Sequence, residues 1–233
     1  MIVYSQNYVR LWLYTALLWV LLIIIVGGLT RIFDAGLSMV DWRPIMGVIP
    51  PLNTDQWQFA FDQYKQYPEF KLINMYMTLT EFKWIYFWEY LHRMLARGLA
   101  LWFIVPYSIF CMHGTLSKPL QKKLLVVFIL GISQAIMGWL MVKSGLNILA
   151  HVSHIRLAAH FILACIIYTA ILCIIITEYH GIVPHICHYR LYYMAWFMFM
   201  VIGMQMVYGV FAAGLDAGIG FNTWPKMGDN FVP

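Results

Sequence analysis

The chain has 233 residues, of which 62% are hydrophobic and 11% charged, with a formal net charge of +5 and a mean hydropathy of +0.73. A soluble domain typically carries about 25% charged residues, so this composition leaves too little polar surface for a water-exposed globule. The chain is expected to cross a membrane several times, and its positive charge then speaks of topology, not of a nucleic-acid partner.

Five stretches are apolar enough to span: 11–29, 84–112, 124–142, 155–177 and 191–215. Each reaches or approaches the ~20 residues that cross a ~30 Å hydrocarbon core. The first is too long for the apolar region of a signal peptide and lacks a small-residue exit, so it reads as a retained helix. In the connection 30–83, Asn53 and Gln56 stand at capping-box spacing ahead of a short helix with Trp57, Phe61 and Tyr64 on one side. Such a helix lies on the membrane surface or roofs a pocket. Thr78 and Glu81 form a second capping box and start the second spanning helix before the bilayer.

The connection 113–123 carries Lys118, Lys122 and Lys123 and no acid, whereas 30–83 mixes five Lys/Arg with six Asp/Glu. The positive-inside bias therefore puts the amino terminus and 113–123 in the cytoplasm. The long loop faces the periplasm of a bacterial inner membrane, or the intermembrane space if the protein is mitochondrial. The four cysteines, Cys111, Cys165, Cys173 and Cys187, form no C-x-x-C pattern and read as apolar packing residues.

A phrase recurs. "FDAGLSMVDWRPIMGVIP" (33–50) follows the first span, and "GLDAGIGFNTWPKMGDNFVP" (214–233) follows the fifth. Asp34 pairs with Asp216, Trp42 with Trp224, Pro44 with Pro225 and Met46 with Met227. The expected fold is an all-α polytopic membrane protein containing one four-helix transmembrane bundle plus the first helix of a second repeat. Residues 1–190 form the first half, and 191–233 hold the first helix and loop of an incomplete second half.

Ionisable residues inside a membrane segment are costly and mark function by default. The second span holds Glu89, His92, Arg93 and Arg97; the fourth has His154 and Arg156 at its mouth and His160 further in. With alternating topology these two helices are parallel, and at ~1.5 Å per residue both His92 and His160 lie roughly 10–12 Å from the outer entrance. Two imidazoles at one depth can ligate an iron porphyrin from opposite faces. Arg93, Arg97 and Arg156 offer guanidinium forks to its propionates. The plainer readings are a hydrogen-bonded core histidine, an i,i+4 ion pair of Glu89 with Arg93, and arginines that snorkel to water. His113, His180, His185 and His188 fall at inner loops and carry no expected role, and His151 and His154 are left undecided. A bis-histidine membrane electron carrier that transforms no substrate is the alternative function, and a repeat-built transporter is a third class.

The stretches "GGLTRIFDAGLSMVDWRPIMGVIPPL" (27–52), "FWEYLHRMLAR" (87–97), "SQAIMGWLMVKSGL" (133–146), "VSHIRLAAH" (152–160) and "AGLDAGIGFNTWPKMGD" (213–229) together resemble the haem A synthase family. The cysteine-free long loop is similar to the alphaproteobacterial and mitochondrial branch. The resemblance implies eight helices in two similar halves, each with a histidine pair. It implies a haem b cofactor in the second half and haem O received as substrate in the first. A porphyrin methyl group is then oxidised to formyl by successive hydroxylations, for cytochrome oxidase assembly. Glu89 and His92 match the family's glutamate and histidine on helix two, and His160 its histidine on helix four. These make Glu89 the expected catalytic residue and His92 and His160 the expected ligands of the haem iron. Partners in keeping with the resemblance are haem O synthase, an electron-transfer protein, membrane lipid and further copies of the chain. The chain stops before helices six to eight, so it is expected either to be a fragment or truncated product lacking the haem b site or to receive the missing half from elsewhere.

Overall fold

The computed structural model describes residues 2–40, 46–146, 151–181, 189–220, 223 and 226–231. The long helices are α1 (Ile2–Ile32), α4 (Leu79–Met112), α5 (Lys118–Gly145), α6 (His154–Ile175) and α7 (Tyr189–Gly214). Short helices α2 (Thr54–Tyr64) and α3 (Pro68–Leu72) lie in the long loop, and α8 (Ala217–Gly220) follows α7. Among the described residues five helices are long and apolar enough to cross a membrane, and the protein is an all-α polytopic membrane protein.

The helices outrun the apolar stretches that announce them. α5 begins at Lys118, ahead of the expected 124, because Ser117 accepts a hydrogen bond from the Leu120 N–H and Pro119 occupies the first turn. α4 opens on the expected capping box, with the Thr78 side chain and Glu81 satisfying each other's backbone. Asn53 likewise caps α2 through the Gln56 N–H, but Gln56 Oε1 accepts from Leu52 N at 2.8 Å, so only half of that box forms. α6 ends in a single π turn, Ile176–His180.

α1 packs against both α4 and α6, α5 against α6, and α4 and α5 touch only sparsely. The order around the bundle is therefore α4, α1, α6, α5, with α4 and α6 on a diagonal and an open seam between α4 and α5. Antiparallel contacts fix the pairs: Trp12 of α1 meets Trp102 of α4, and Lys123 of α5 meets Glu178 beyond α6.

One pairing repairs a break. Pro106 sits inside α4 and cannot donate to the carbonyl four residues earlier, that of Trp102. The Trp12 indole donates to that carbonyl at 2.8 Å, and Trp102 Nε1 donates to Thr15 Oγ1 at 3.0 Å. A neighbouring helix thus satisfies the group that proline leaves bare, as apolar surroundings demand.

Buried apolar side chains gather at the two ends of the bundle. Away from the long loop, Trp12, Leu13, Leu17, Phe103, Leu124, Ile171 and Ile175 belong to one packed cluster. At the loop end, Phe61 and Tyr64 of α2 pack with Ala35 and with Phe82 and Ile85 of α4. α2 therefore packs as a roof over the loop end of α4.

The recurring phrase has a structural counterpart. α1 ends in a Schellman turn: Ala35 N donates to Thr30 O at 2.8 Å and Asp34 N to Arg31 O at 3.2 Å. Asp34 has φ +47° and Asp216 has φ +52°, each in the left-handed position that usually takes glycine. Both carboxylates pair with Arg31, which also donates to Ala213 O. The ends of α1 and α7 are joined through this arginine. Trp42, Pro44, Trp224, Pro225, Cys187, His185 and His188 lie outside the described residues, and the other cysteines are free thiols.

Candidate functional site

His92 stands on α4 and faces α1, where a Cβ placed on Gly27 would lie 3.0 Å from its Cε1. His160 stands on α6 and faces α5, where a Cβ on Gly138 would lie 3.0 Å from its Cε1. Gly27 is five residues from the end of α1 and His160 six from the start of α6, about 8 and 9 Å respectively at 1.5 Å per residue. The rings therefore share a level near the loop end, on diagonally placed helices.

Each ring has a buried Nδ1 without a hydrogen-bond partner. A buried ring nitrogen without a partner is open to a ligand. The residues present fit an iron porphyrin held between two imidazoles, in an apolar region between the two packed clusters.

Glu89 is 4% exposed and is held from three sides. Ser38 Oγ donates to Oε2 at 2.7 Å, Met39 N to the same oxygen at 2.8 Å, and Arg93 Nη2 to Oε1. Arg93 also donates to Met39 O at 3.1 Å. The carboxylate thus ties the segment after α1 to α4 one turn from His92, and it is ion-paired with Arg93 at the i,i+4 spacing. Arg156 lies at the mouth of α6 and donates to Leu140 O at 2.6 Å, which anchors it to α5. Arg97 lies on α4, one turn beyond Arg93.

Residues outside the sequence-based site also converge here. Gln134 Nε2 is 3.4 Å from His160 Nε2, and its Oε1 is buried without a partner, as is the indole nitrogen of Trp88. An amide inside a spanning helix was a signal available in "SQAIMGW". His154 lies under α7, its Cβ against Gly214 and its ring 5.5 Å from Phe211. With His151, Ser144, Arg156 and Asp216 it lines a groove at the α6–α7 junction.

The roof has its own buried acid. Glu69 of α3 is 6% exposed, and burial, reinforced by Glu89 and Asp34, pushes its carboxyl up to about 8. The Tyr64 hydroxyl beneath the roof is pushed well above its ordinary value, first by burial and then by Glu69.

The profile of a family described as "Cytochrome oxidase assembly protein" matches residues 10–233. The chain belongs to that family. It is 42% identical over 232 residues to a protein named heme A synthase in Chelativorans sp. strain BNC1, covering 98% of this chain and 63% of that protein. It is 40% identical over 228 residues to the heme A synthase of Rickettsia prowazekii, covering 98% of this chain and 68% of the relative. The corresponding protein of Rhodospirillum centenum is 39% identical over 230 residues, covering 97% and 60%. The chain thus spans somewhat less than two thirds of the length of the first of these relatives. No solved structure matches. Membership of this family accords with the five apolar helices, and the protein is a multi-pass membrane protein.

Proposed function

We propose that this chain provides the substrate-binding bundle of a haem A-forming membrane enzyme. His92 of α4 and His160 of α6 would hold the iron of haem O, and a methyl substituent would become formyl by gaining one oxygen atom and giving four electrons to an external acceptor. The observation that carries this reading is the pair of half-buried imidazoles at one level on diagonal helices, each with a buried ring nitrogen that has no partner. Family membership and relatives named heme A synthase support it. The haem supplies the iron and the methyl carbon; the chain's own residues bind, orient and exclude water.

Glu89 stands one turn before His92 on α4 and ties Ser38 and Met39 to that helix. Its three donors suit a fixed negative charge that stabilises positive charge developing at the porphyrin edge. Oε1 accepts only from Arg93 among these donors, which leaves it a lone pair for a proton. Arg97 and Arg156 face the propionates, and Arg93 adds whatever donors Glu89 and Met39 leave. A haem b, where the full protein holds one, belongs to a second bundle that α7 opens. The long loop faces away from the cytoplasm by the charge of 113–123, and haem O synthase and an electron acceptor are the expected partners in the membrane.

The test is to purify the chain with haem O and compare His92→Ala and His160→Ala. Loss of the low-spin bis-imidazole spectrum in both is expected, and an unchanged spectrum and haem content would remove ligation from the reading. Haem extracted chemically unchanged after turnover by the longest form of the protein would favour an electron carrier instead.

A further inference from the structure

The α1–α4 and α5–α6 pairs repeat one detail that no motif announced. In each, the ring of the histidine on the second helix lies on a glycine of the first, and a Cβ there would stand 3.0 Å from Cε1. Real Cβ atoms essentially never come closer, so a methyl group at either place forces the imidazole to give way.

We infer that Gly27 and Gly138 are positioning residues for the two iron-ligating imidazoles. Each leaves a gap that only hydrogen fills, and so sets how far its ring stands into the centre of the bundle. The inference rests on the reading of His92 and His160 as haem ligands.

Backbone freedom does not explain these glycines. Both lie inside long helices, and neither has a positive φ. There glycine is worse than alanine by about 1 kcal/mol. A methyl group would shift the ring by a few tenths of an ångström, a large share of the about 0.5 Å within which a functional group must hold its geometry.

The chain carries its own controls. Gly28 adjoins Gly27 on α1, and Gly131 lies two turns before Gly138 on α5. A Cβ at either meets nothing within 4 Å. Gly27→Ala, Gly138→Ala, Gly28→Ala and Gly131→Ala would be purified in detergent as the full chain, beside His92→Ala and His160→Ala. Each is titrated with haem O and with ferric protoporphyrin IX, and the thermal midpoint of each haem-free protein is measured.

Gly27→Ala and Gly138→Ala are expected to bind both haems about tenfold more weakly, the loss typical of a disturbed second shell, and to move the spectrum toward high spin. Gly28→Ala and Gly131→Ala should keep the wild-type spectrum with an equal or higher midpoint. If the first pair behaves like the controls while the histidine variants lose haem, the inference fails and the ligand reading stands. Wild-type spectra in His92→Ala and His160→Ala overturn both. Should Gly27→Ala melt early, Gly27→Ala/His92→Ala decides the matter: removing the ring must restore the midpoint, and absence of that rescue overturns the inference.

Discussion

In the α1–α4 pair the imidazole of His92 shares its level with a carboxylate that accepts from Ser38, Met39 and Arg93. In the α5–α6 pair the imidazole of His160 has the neutral Gln134 amide beside it. Both pairs place a histidine over a glycine, so the packing is repeated while the electrostatics is not. Geometry of this kind needs only a small residue in the right turn. A buried charge needs several donors brought from separate segments, and here they come from one side.

The difference is broken most severely at Glu89. Glu89→Ala leaves Arg93 as a buried charge without its partner and frees Ser38 and Met39, a loss of about 3–5 kcal/mol for a broken buried pair. Thermal unfolding in detergent should register it, together with weaker haem binding. A midpoint equal to wild type would mean that the tether does not hold the segment. A like-sized change on the α5–α6 side, Gln134→Ala, should shift the haem spectrum with little effect on the midpoint.

Next in size is the indole that covers the proline gap of the α1–α4 pair. Trp12→Phe orphans the Trp102 carbonyl, at about 1–3 kcal/mol for an unsatisfied buried group. The cost should shrink in a Pro106→Ala background, where the helix supplies its own N–H. Additivity of the two substitutions would refute the repair.

The roof over α4 gives a pH effect. The Glu69 carboxyl is raised from 4.5 to about 8, chiefly by burial, so the seated roof holds a proton that a detached roof releases. Its contribution is full below pH 4.5, falls as pH rises toward 8 and is flat above that. Protection factors of the α2 and α3 amides, corrected for intrinsic exchange, should fall across this window, and Glu69→Gln should abolish the fall. The smallest effect belongs to the α5–α6 pair: Lys123 and Glu178 meet at 2.7 Å with side chains 44% and 26% exposed. Lys123→Ala should cost less than about 1 kcal/mol, and less again in high salt.

What could be read from the sequence follows the same division. Apolar length and the box at Thr78 and Glu81 located the helices, because both signals are local. His92, His160 and Glu89 were visible because titratable groups stand out among apolar neighbours. Gly27 and Gly138 were not, since a missing side chain has no pattern of its own, and only a neighbouring helix gives the gap meaning. Ser38 and Met39 escaped because one acts through a common hydroxyl and the other through its backbone, 51 and 50 positions from Glu89. Arg93 was legible as a cation, and both a propionate fork and an ion pair were open to it; the fold pairs it with Glu89. The union of Trp12 with Pro106's orphan joins positions that only tertiary packing brings together.

The cluster around Trp12, Leu13, Leu124 and Ile171 shuts the bundle at the end away from the roof. A ligand held by His92 and His160 would therefore meet packed side chains on that side, and its shorter approach would be from the loop end or the seam between α4 and α5.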